Sequence, residues 1–360
     1  MYMHTSRLKD TLLALLHINE VYPYESEVIT YVLARLQDAG VEYQQDSFSN
    51  IIARVPGEGE PLLLSTHVDI PEPVPHLQYD IRGDRIYSDG NGILGVDPKT
   101  GLAVLLELVD DLMNESPSAH RPVELLLTRG EEAGLVGARN ADYSLLTARH
   151  GFVLDQDGPV TEVVTRAPSY VSLNGECLGK AAHPREPKQG INALEAACKT
   201  LADCPWSYSK EGVTWNIGFF QAGTAVNTIP GRVTFQSELR GYDHAEVIAE
   251  ASRLTEHFKA YEATYNVTWN LSTHVEFEGY YVSEEESDLI AQFKDVLQEH
   301  HLTPHYLETF GGTDANIMTS HGIEAVPLGS GYYNAHQYSE YADLADMSQI
   351  ADVLITYVHR

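Results

Sequence analysis

The sequence contains little cysteine and little positive charge. Its three cysteines, Cys177, Cys198 and Cys204, form no C-x-x-C pair, which argues against a disulfide framework and against a zinc site built from thiolates. The sequence has only 23 basic residues and 52 acidic ones, so the formal net charge is −29. Because this charge repels phosphate groups, we expect neither a nucleic acid nor a membrane as a partner.

Long apolar segments are also missing, since no run approaches the ~18 residues of a membrane span. The first apolar segment, with Leu8, Leu12, Leu15 and Leu16, has the spacing of an amphipathic helix rather than a signal-peptide core. We therefore expect a cytoplasmic protein. The 360 residues, of which 43% are hydrophobic, are typical of a globular chain with two or three domains.

Helical and strand-like patterns alternate in the first part of the chain. A helix is predicted at about 25–39, ended by Gly40, and another at 101–112. Buried strands are predicted from the short apolar runs at 62–64, 123–127 and 151–154. This alternation predicts an α/β domain with a mixed, largely parallel sheet flanked by helices.

The order of elements changes in the middle of the chain. Residues 164–276 follow the order strand, helix, strand, strand, helix, strand, which is similar to a ferredoxin-like α+β domain. A helix near 284–300 and a strand at 325–328 then resume the first pattern. We therefore predict that residues 1–163 and 277–360 form one domain, into which 164–276 are inserted.

Histidines and carboxylates follow three of the apolar strands. They are His67 and Asp69, Glu131 and Glu132, and Asp155. In open α/β sheets, ligands bind beyond the carboxyl ends of the strands, so these side chains are expected to converge. Taken singly, His67-x-Asp69 also fits a turn histidine capped by an aspartate, and Glu131-Glu132 a solvated helix start.

Two further residues have an ordinary interpretation when taken alone. Asp97 precedes Pro98 just before an apolar helix, as at many helix starts, and His336 follows a glycine-rich stretch, as loop histidines do. Together with the strand-end residues, however, they supply two imidazoles and at least three carboxylates. That set suits a pair of hydrolytic zinc ions with one bridging carboxylate and one glutamate left free as a base.

Four stretches carry a resemblance to a known family. They are Ser65-Thr66-His67-Val68-Asp69, Leu94-Gly95-Val96-Asp97-Pro98-Lys99-Thr100-Gly101, Arg129-Gly130-Glu131-Glu132-Ala133-Gly134, and Gly311-Gly312-Thr313-Asp314-Ala315-Asn316. In this order, over essentially the whole chain, they resemble the co-catalytic zinc exopeptidases, the family that contains peptidase T, the carboxypeptidase G type enzymes and the aminoacylases. The peptidase T branch is the most similar.

The resemblance implies a set of metal ligands. Asp97 would bridge two zinc ions, and the peptide bond that follows it would be cis. His67 and Asp155 would hold one zinc ion, and Glu132 and His336 the other. Cobalt or manganese would also suit such a site.

The resemblance also implies catalytic and substrate-binding roles. Glu131 would be the general base that activates a metal-bridging water, and Asp69 would orient His67. In the inserted domain, which would act as a lid or a dimerisation surface, His183 would polarise the scissile carbonyl. Asn227 and Arg240 would bind the far end of the peptide or its carboxylate.

The function implied is hydrolysis of short peptides by a zinc-dependent aminopeptidase or tripeptidase. Another amide hydrolase of the same family, such as a carboxypeptidase, a dipeptidase or a deacylase, is the first alternative. A metal-free scaffold or binding protein with the same fold is the second. For His183 the alternative is a histidine on the surface of the inserted domain, because the glycine that usually follows it is missing.

Overall fold

The computed structural model describes residues 5–210 and 212–360. Contacts between Cα atoms divide the chain into two compact units. The first unit contains the residues up to Thr165 together with Tyr281–Glu308 and Thr313–Arg360. The second contains Arg166–Tyr280 and Thr309–Gly312.

The described residues form ten α-helices and three short 3₁₀ helices. The α-helices are α1 Thr5–Leu16, α2 Ser26–Asp38, α3 Lys99–Met113, α4 Val136–Arg139, α5 Ala193–Ala202, α6 His244–Ala260, α7 Glu262–Tyr265, α8 Asp288–Glu299, α9 Asp314–Ser320 and α10 Leu344–Val358. The 3₁₀ helices are Pro117–Ala119, Tyr143–Leu145 and Pro187–Gln189. None of the helices in this part of the chain is long and apolar enough to cross a membrane.

The same residues form eighteen strands. These are β1 Glu42–Gln45, β2 Ile51–Val55, β3 Leu62–His67, β4 Tyr79–Arg82, β5 Arg85–Ser88, β6 Val123–Thr128, β7 His150–Gln156, β8 Glu162–Ala167, β9 Ser169–Leu178, β10 Ser207–Lys210, β11 Val213–Ala222, β12 Arg232–Gly241, β13 Thr268–Phe277, β14 Tyr280–Tyr281, β15 His305–Glu308, β16 Glu324–Gly329, β17 Tyr332–Tyr333 and β18 Tyr341–Asp343.

The main sheet has nine strands and a parallel centre. Its order is β1-β2-β6-β3-β7-β16-β8-β14, with β15 beside β8. The four central strands β6, β3, β7 and β16 run parallel, whereas β2 and β8 pair antiparallel with their central neighbours. All six residues of β3 and of β6 are buried, as expected of parallel strands covered on both faces. The predicted mixed α/β sheet is confirmed.

Helix α3 packs closely on this sheet because of one glycine. A Cβ atom on Gly101 would lie 2.6 Å from the carbonyl oxygen of Leu154 in β7, so no larger residue fits without a shift. The close approach places the start of α3, which Asp97 and Pro98 directly precede, beside the end of β7. The predicted helix 101–112 is confirmed and begins two residues earlier, at Lys99.

A small four-stranded sheet, with the order β17-β18-β5-β4, also belongs to the first unit. Strands β17 and β18 pair antiparallel, and the loop between them, residues 334–340, contains His336. Sequence reasoning did not predict this sheet because its strands have only two to four residues.

The second unit is built on an antiparallel sheet with the order β10-β11-β12-β9-β13. Helices α5 and α6 cover one face, where Trp215, Phe235, Phe258 and Trp269 lie in a single core. Without β10, the strand order is that of the predicted ferredoxin-like domain. The short strand β10 extends the expected four-stranded sheet at one edge, where it pairs with the start of β11.

Candidate active site

Three parallel strands end at the candidate site. His67 is the last residue of β3, Asp155 is the last but one of β7, and Glu131 follows shortly after β6. The Thr66 hydroxyl donates a 2.8 Å hydrogen bond to the carbonyl oxygen of Leu154, which links β3 and β7 just before their site residues. The expectation that these strand ends converge is met by the structure.

One histidine lies deep at this edge of the sheet. His67 is 2% exposed, and its Nε2 atom lies 3.2 Å from Asp155 Oδ1 and 3.7 Å from Asp97 Oδ1. Its Nδ1 atom lies 3.2 Å from Asp69 Oδ1. The ring therefore turns one nitrogen to Asp69 and the other to two carboxylates.

The second histidine approaches Asp97 from the other side. His336 Nε2 lies 3.0 Å from Glu132 Oε1 and 3.2 Å from Asp97 Oδ2. The two carboxylate oxygens of Asp97 thus face two different histidines, Oδ1 facing His67 and Oδ2 facing His336. The peptide bond from Asp97 to Pro98 is cis, as the resemblance implied.

Asp69 holds the two glutamates as well as His67. Its carboxylate is fully buried and accepts hydrogen bonds from the backbone N–H groups of Glu131, at 3.1 Å, and Glu132, at 3.3 Å. One aspartate therefore fixes the ring of His67 and the turn on which both glutamates lie.

The carboxylates repel one another and are poorly solvated. Burial raises the pKa of Glu131 well above its usual range, and the charge of Asp155 raises it further. Burial also raises the pKa of Asp155 to about 7. Burial alone would lower the pKa of His67, but the carboxylates of Asp155, Asp69 and Asp97 raise it well above its ordinary value. Such a concentration of acidic groups is unfavourable unless a cation or a shared proton relieves the repulsion.

The donor set fits metal ions. The ligand atoms offered by His67, Asp97 and Glu132 all lie within 4.8 Å of one another. Asp97 Oδ1 is buried and accepts no hydrogen bond from the residues the structure describes, which is unfavourable unless a cation binds there. Imidazole nitrogen and carboxylate oxygen are both ordinary zinc ligands.

Sequence reasoning assigned no role to two residues beside this cluster. Asp314 is 1% exposed, and its Oδ2 atom accepts a hydrogen bond from the hydroxyl of Thr128, the last residue of β6. Burial raises the pKa of Asp314 to about 6. The stretch Gly311–Asn316 signalled this residue in the sequence, but no chemistry could be read from an aspartate at a helix start.

The three candidate substrate-binding residues lie in the second unit. His183 and Asn227 are exposed. The backbone N–H of Arg185 donates to His183 Nδ1 at 3.1 Å, so the neutral ring carries its proton on Nε2. Backbone bridges pair Lys180 with Ile191 and Ala182 with Ile229, which anchors the segments that flank the His183 loop.

Arg240 already has several contacts. Its guanidinium lies 3.1 Å from Glu238 Oε2 and donates a 2.9 Å hydrogen bond to the carbonyl oxygen of Phe310. It also stacks over the ring of Tyr170 at 4.7 Å from the centroid. The group is thus held in place and partly neutralised by Glu238.

Comparison with known proteins shows that the chain is similar to peptidases, both in sequence and in structure. The model of peptidase family M20/M25/M40 matches residues 74–360. The crystal structure of aminopeptidase PepT from Bacillus cereus is 28% identical, with a TM-score of 0.87 over 99% of this chain and 98% of that one. A tripeptidase from Staphylococcus aureus is 25% identical, with a TM-score of 0.90 over the same shares. Peptidase T of Salmonella typhimurium is 24% identical over 75% of this chain and 66% of that enzyme.

Proposed function

Because the chain belongs to peptidase family M20/M25/M40, in its peptidase T-like branch, we propose that it is a di-zinc aminopeptidase or tripeptidase acting on short peptides. The observation that carries this proposal is the position of Asp97, whose two oxygens lie 3.7 Å and 3.2 Å from the Nε2 atoms of His67 and His336. A single carboxylate between two histidines is the arrangement that a pair of neighbouring cations needs.

Five residues would hold the metal ions. His67 and Asp155 would bind one zinc ion, Glu132 and His336 the other, and Asp97 both. Cobalt or manganese would suit the same nitrogen and oxygen ligands. When bound, the two ions supply Lewis acidity, which lowers the pKa of water and polarises the scissile carbonyl.

Glu131 would move the proton. Its carboxylate is left over when the ligands are assigned, and Glu131 Oε2 lies 3.9 Å from His67 Nε2, at the edge of the cluster. We assign it as the general base that takes a proton from the attacking water and gives it to the leaving amine. Asp69 would keep it in place through the backbone N–H of Glu131.

The residues of the second unit would bind the peptide. With its proton on Nε2, His183 is prepared to donate a hydrogen bond to the oxyanion of the tetrahedral intermediate. Asn227 and Arg240 would bind the distal part of the peptide or its carboxylate. The inserted unit would then serve as a lid, and a homodimer formed through it is a further prediction, which light scattering on the purified protein tests.

The hydrolysis of a matched peptide series tests the proposed substrate class. We expect the zinc-reconstituted protein to cleave tri- and other short peptides with a free N-terminus, and to lose this activity when the N-terminus is acetylated. Preferred cleavage of acetylated amino acids would instead favour the deacylase, and dependence on a free C-terminus alone would favour a carboxypeptidase.

Metal analysis of the same preparation tests the site. We expect about two zinc ions per chain after reconstitution, and loss of activity when a chelator removes them. A protein that binds no zinc after reconstitution and cleaves none of the peptides would be a scaffold with this fold.

A further inference from the structure

A buried glutamate lies on the loop that presents His336. Glu340 follows His336 by four residues, at the end of the loop between β17 and β18, and is fully buried. Its Oε2 atom accepts a 2.6 Å hydrogen bond from the backbone N–H of Gly95. A carboxylate from one loop thus caps the backbone of another.

The capped segment is the one that presents Asp97. Gly95 precedes Asp97 by two residues and has a φ of +72°, a conformation that favours glycine. Side-chain atoms of Ile70 lie 3.5 Å and 3.7 Å from the position where a Cβ atom of Gly95 would be. Apolar packing on one side and Glu340 on the other therefore define the path of the chain into Asp97.

The burial of Glu340 is energetically unfavourable by itself. Its second oxygen, Oε1, is buried and has no hydrogen-bond partner among the described residues, and an isolated buried carboxylate is strongly disfavoured. The nearby Lys99 attracts it electrostatically, but the ammonium of Lys99 donates to the carbonyl oxygen of Ile18 and to Asn19 Oδ1. The carboxylate of Glu340 is thus positioned mainly by the backbone N–H of Gly95, in the loop that presents Asp97.

We infer that Glu340 is a positioning residue that holds Asp97 and His336 together as ligands of one metal ion. This inference rests on the proposed di-zinc function. Among the described residues, the carboxyl group of Glu340 forms its hydrogen bond with Gly95 and none with either ligand. It joins the two loops, and those loops bring Asp97 Oδ2 and His336 Nε2 to 3.2 Å from each other. His67 and Asp155 lie on strands β3 and β7, so their positions do not depend on this contact.

Zinc titration of the apo-protein tests the inference without measuring activity. In competition with a chromophoric chelator, we expect the wild type to show two binding events. E340A should weaken one event by ~10- to 100-fold, the range seen when a partner of a metal ligand is removed. It should weaken the other event less, because that ion shares Asp97 but keeps His67 and Asp155. H336A identifies the affected event, because it should weaken the same one.

Two conservative variants separate the hydrogen bond from the charge. E340Q keeps an oxygen that can accept from Gly95 N–H and should bind both ions nearly as the wild type does. E340D keeps the charge but is one methylene shorter, so it should behave as E340A does. If E340A fails to fold, the zinc titration of E340D tests the inference in its place.

Glu124 provides a matched control. It is 3% exposed and accepts backbone hydrogen bonds from Thr147, at 2.8 Å, and Ala148, at 2.9 Å, at the opposite end of the parallel strands. E124A should lower the thermal stability yet leave both zinc affinities unchanged.

The outcomes distinguish this inference from the proposed function. Two wild-type zinc affinities in both E340A and E340D would overturn the positioning role and leave the di-zinc proposal standing. An equal loss at both sites would also overturn it, because the effect would then be a general one. A wild-type protein that binds no zinc would overturn the proposed function and, with it, this inference.

Discussion

The candidate metal ligands of the first unit and the exposed candidates of the second unit, His183 and Asn227, differ in how firmly they are held. His67, Asp69, Asp97 and Asp155 are each less than a tenth exposed. The three aspartates all lie within 3.7 Å of a ring nitrogen of His67. His183, by contrast, lies on an exposed loop. Groups fixed by buried strands keep their geometry without a ligand, whereas groups on an exposed loop can adjust to one. This difference agrees with the proposed roles, in which the buried residues hold the metal ions and the exposed ones adjust to the peptide.

His336 breaks this division in an instructive way. It lies in the first unit, yet 53% of its side chain is exposed and it belongs to a loop. Two carboxylates hold its ring, and their hydrogen bonds raise the pKa of His336 to about 10. Exposure alone therefore does not distinguish His336 from His183. They differ in their partners, since two carboxylates hold His336 and one backbone N–H group holds His183.

The largest effect is expected from removing a proposed metal ligand of the first unit. H336A and D155A should each lose zinc and with it nearly all peptidase activity, because an under-coordinated cation lies beside a second positive charge. Zinc content and affinity measured beside kcat/KM check this. The expected losses fall on different binding events in the two variants.

The matched histidine of the second unit sharpens this result. H183A should retain both zinc ions, since His183 belongs to no carboxylate cluster in the part of the chain that the structure describes. Wild-type zinc affinity in H336A or in D155A would remove that residue from the ligand set, and zinc loss in H183A would contradict the division between the two units.

Glu131 and Glu132 should differ although they are neighbours of identical chemistry. E131Q should keep the fold and nearly full zinc content while kcat falls by ~10²-fold or more, the scale of lost general acid–base catalysis. E132Q should lose zinc affinity and activity together. Glutamine keeps the volume and one accepting oxygen, so the proton-accepting carboxylate is the main thing removed. An E131Q protein nearly as active as the wild type would refute the proposed mechanism.

The site residues at the strand ends could be predicted from the sequence for a physical reason. The strands β3, β6 and β7 are continuous apolar runs, and the polar residue that ends such a run marks the edge of the sheet. Their predicted cores at 62–64, 123–127 and 151–154 lie within the observed strands. The sequence alone therefore predicts that His67, Asp155 and the two glutamates lie at one edge of the sheet.

The contacts made by loops could not be predicted in this way. Glu340 and Gly95 are 245 residues apart, and neither has a periodic pattern that would indicate its partner. Asp314 meets Thr128 across 186 residues. The short strands β4, β5, β17 and β18 escaped prediction because four residues or fewer give no periodicity. Roles for Asp97 and His336 came from the resemblance to a family, not from spacing.

The next largest effect is expected at His183. H183A should lower kcat by ~10²-fold with little change in zinc content, the range for losing one donor to an oxyanion. R185A is the matched control, because the backbone of Arg185, not its side chain, contacts His183, and its activity should be close to that of the wild type. An equally active H183A would return His183 to the alternative of a surface histidine.

The smallest effect, and the most selective one, is expected at Arg240. R240A should lower kcat/KM for peptides with a free C-terminal carboxylate by ~10-fold and hardly affect their amides, because a guanidinium fork is suited to a carboxylate. The effect is modest because Glu238 already lies 3.1 Å from the guanidinium, so a substrate carboxylate must share the guanidinium with Glu238.

R232A offers a control on the same strand, where Arg232 pairs with Glu176 at 2.5 Å. Equal losses on acid and amide substrates in R240A would make Arg240 a structural residue that holds Phe310 and Tyr170. A comparable loss in R232A would trace the effect to the net charge of the sheet rather than to recognition by Arg240.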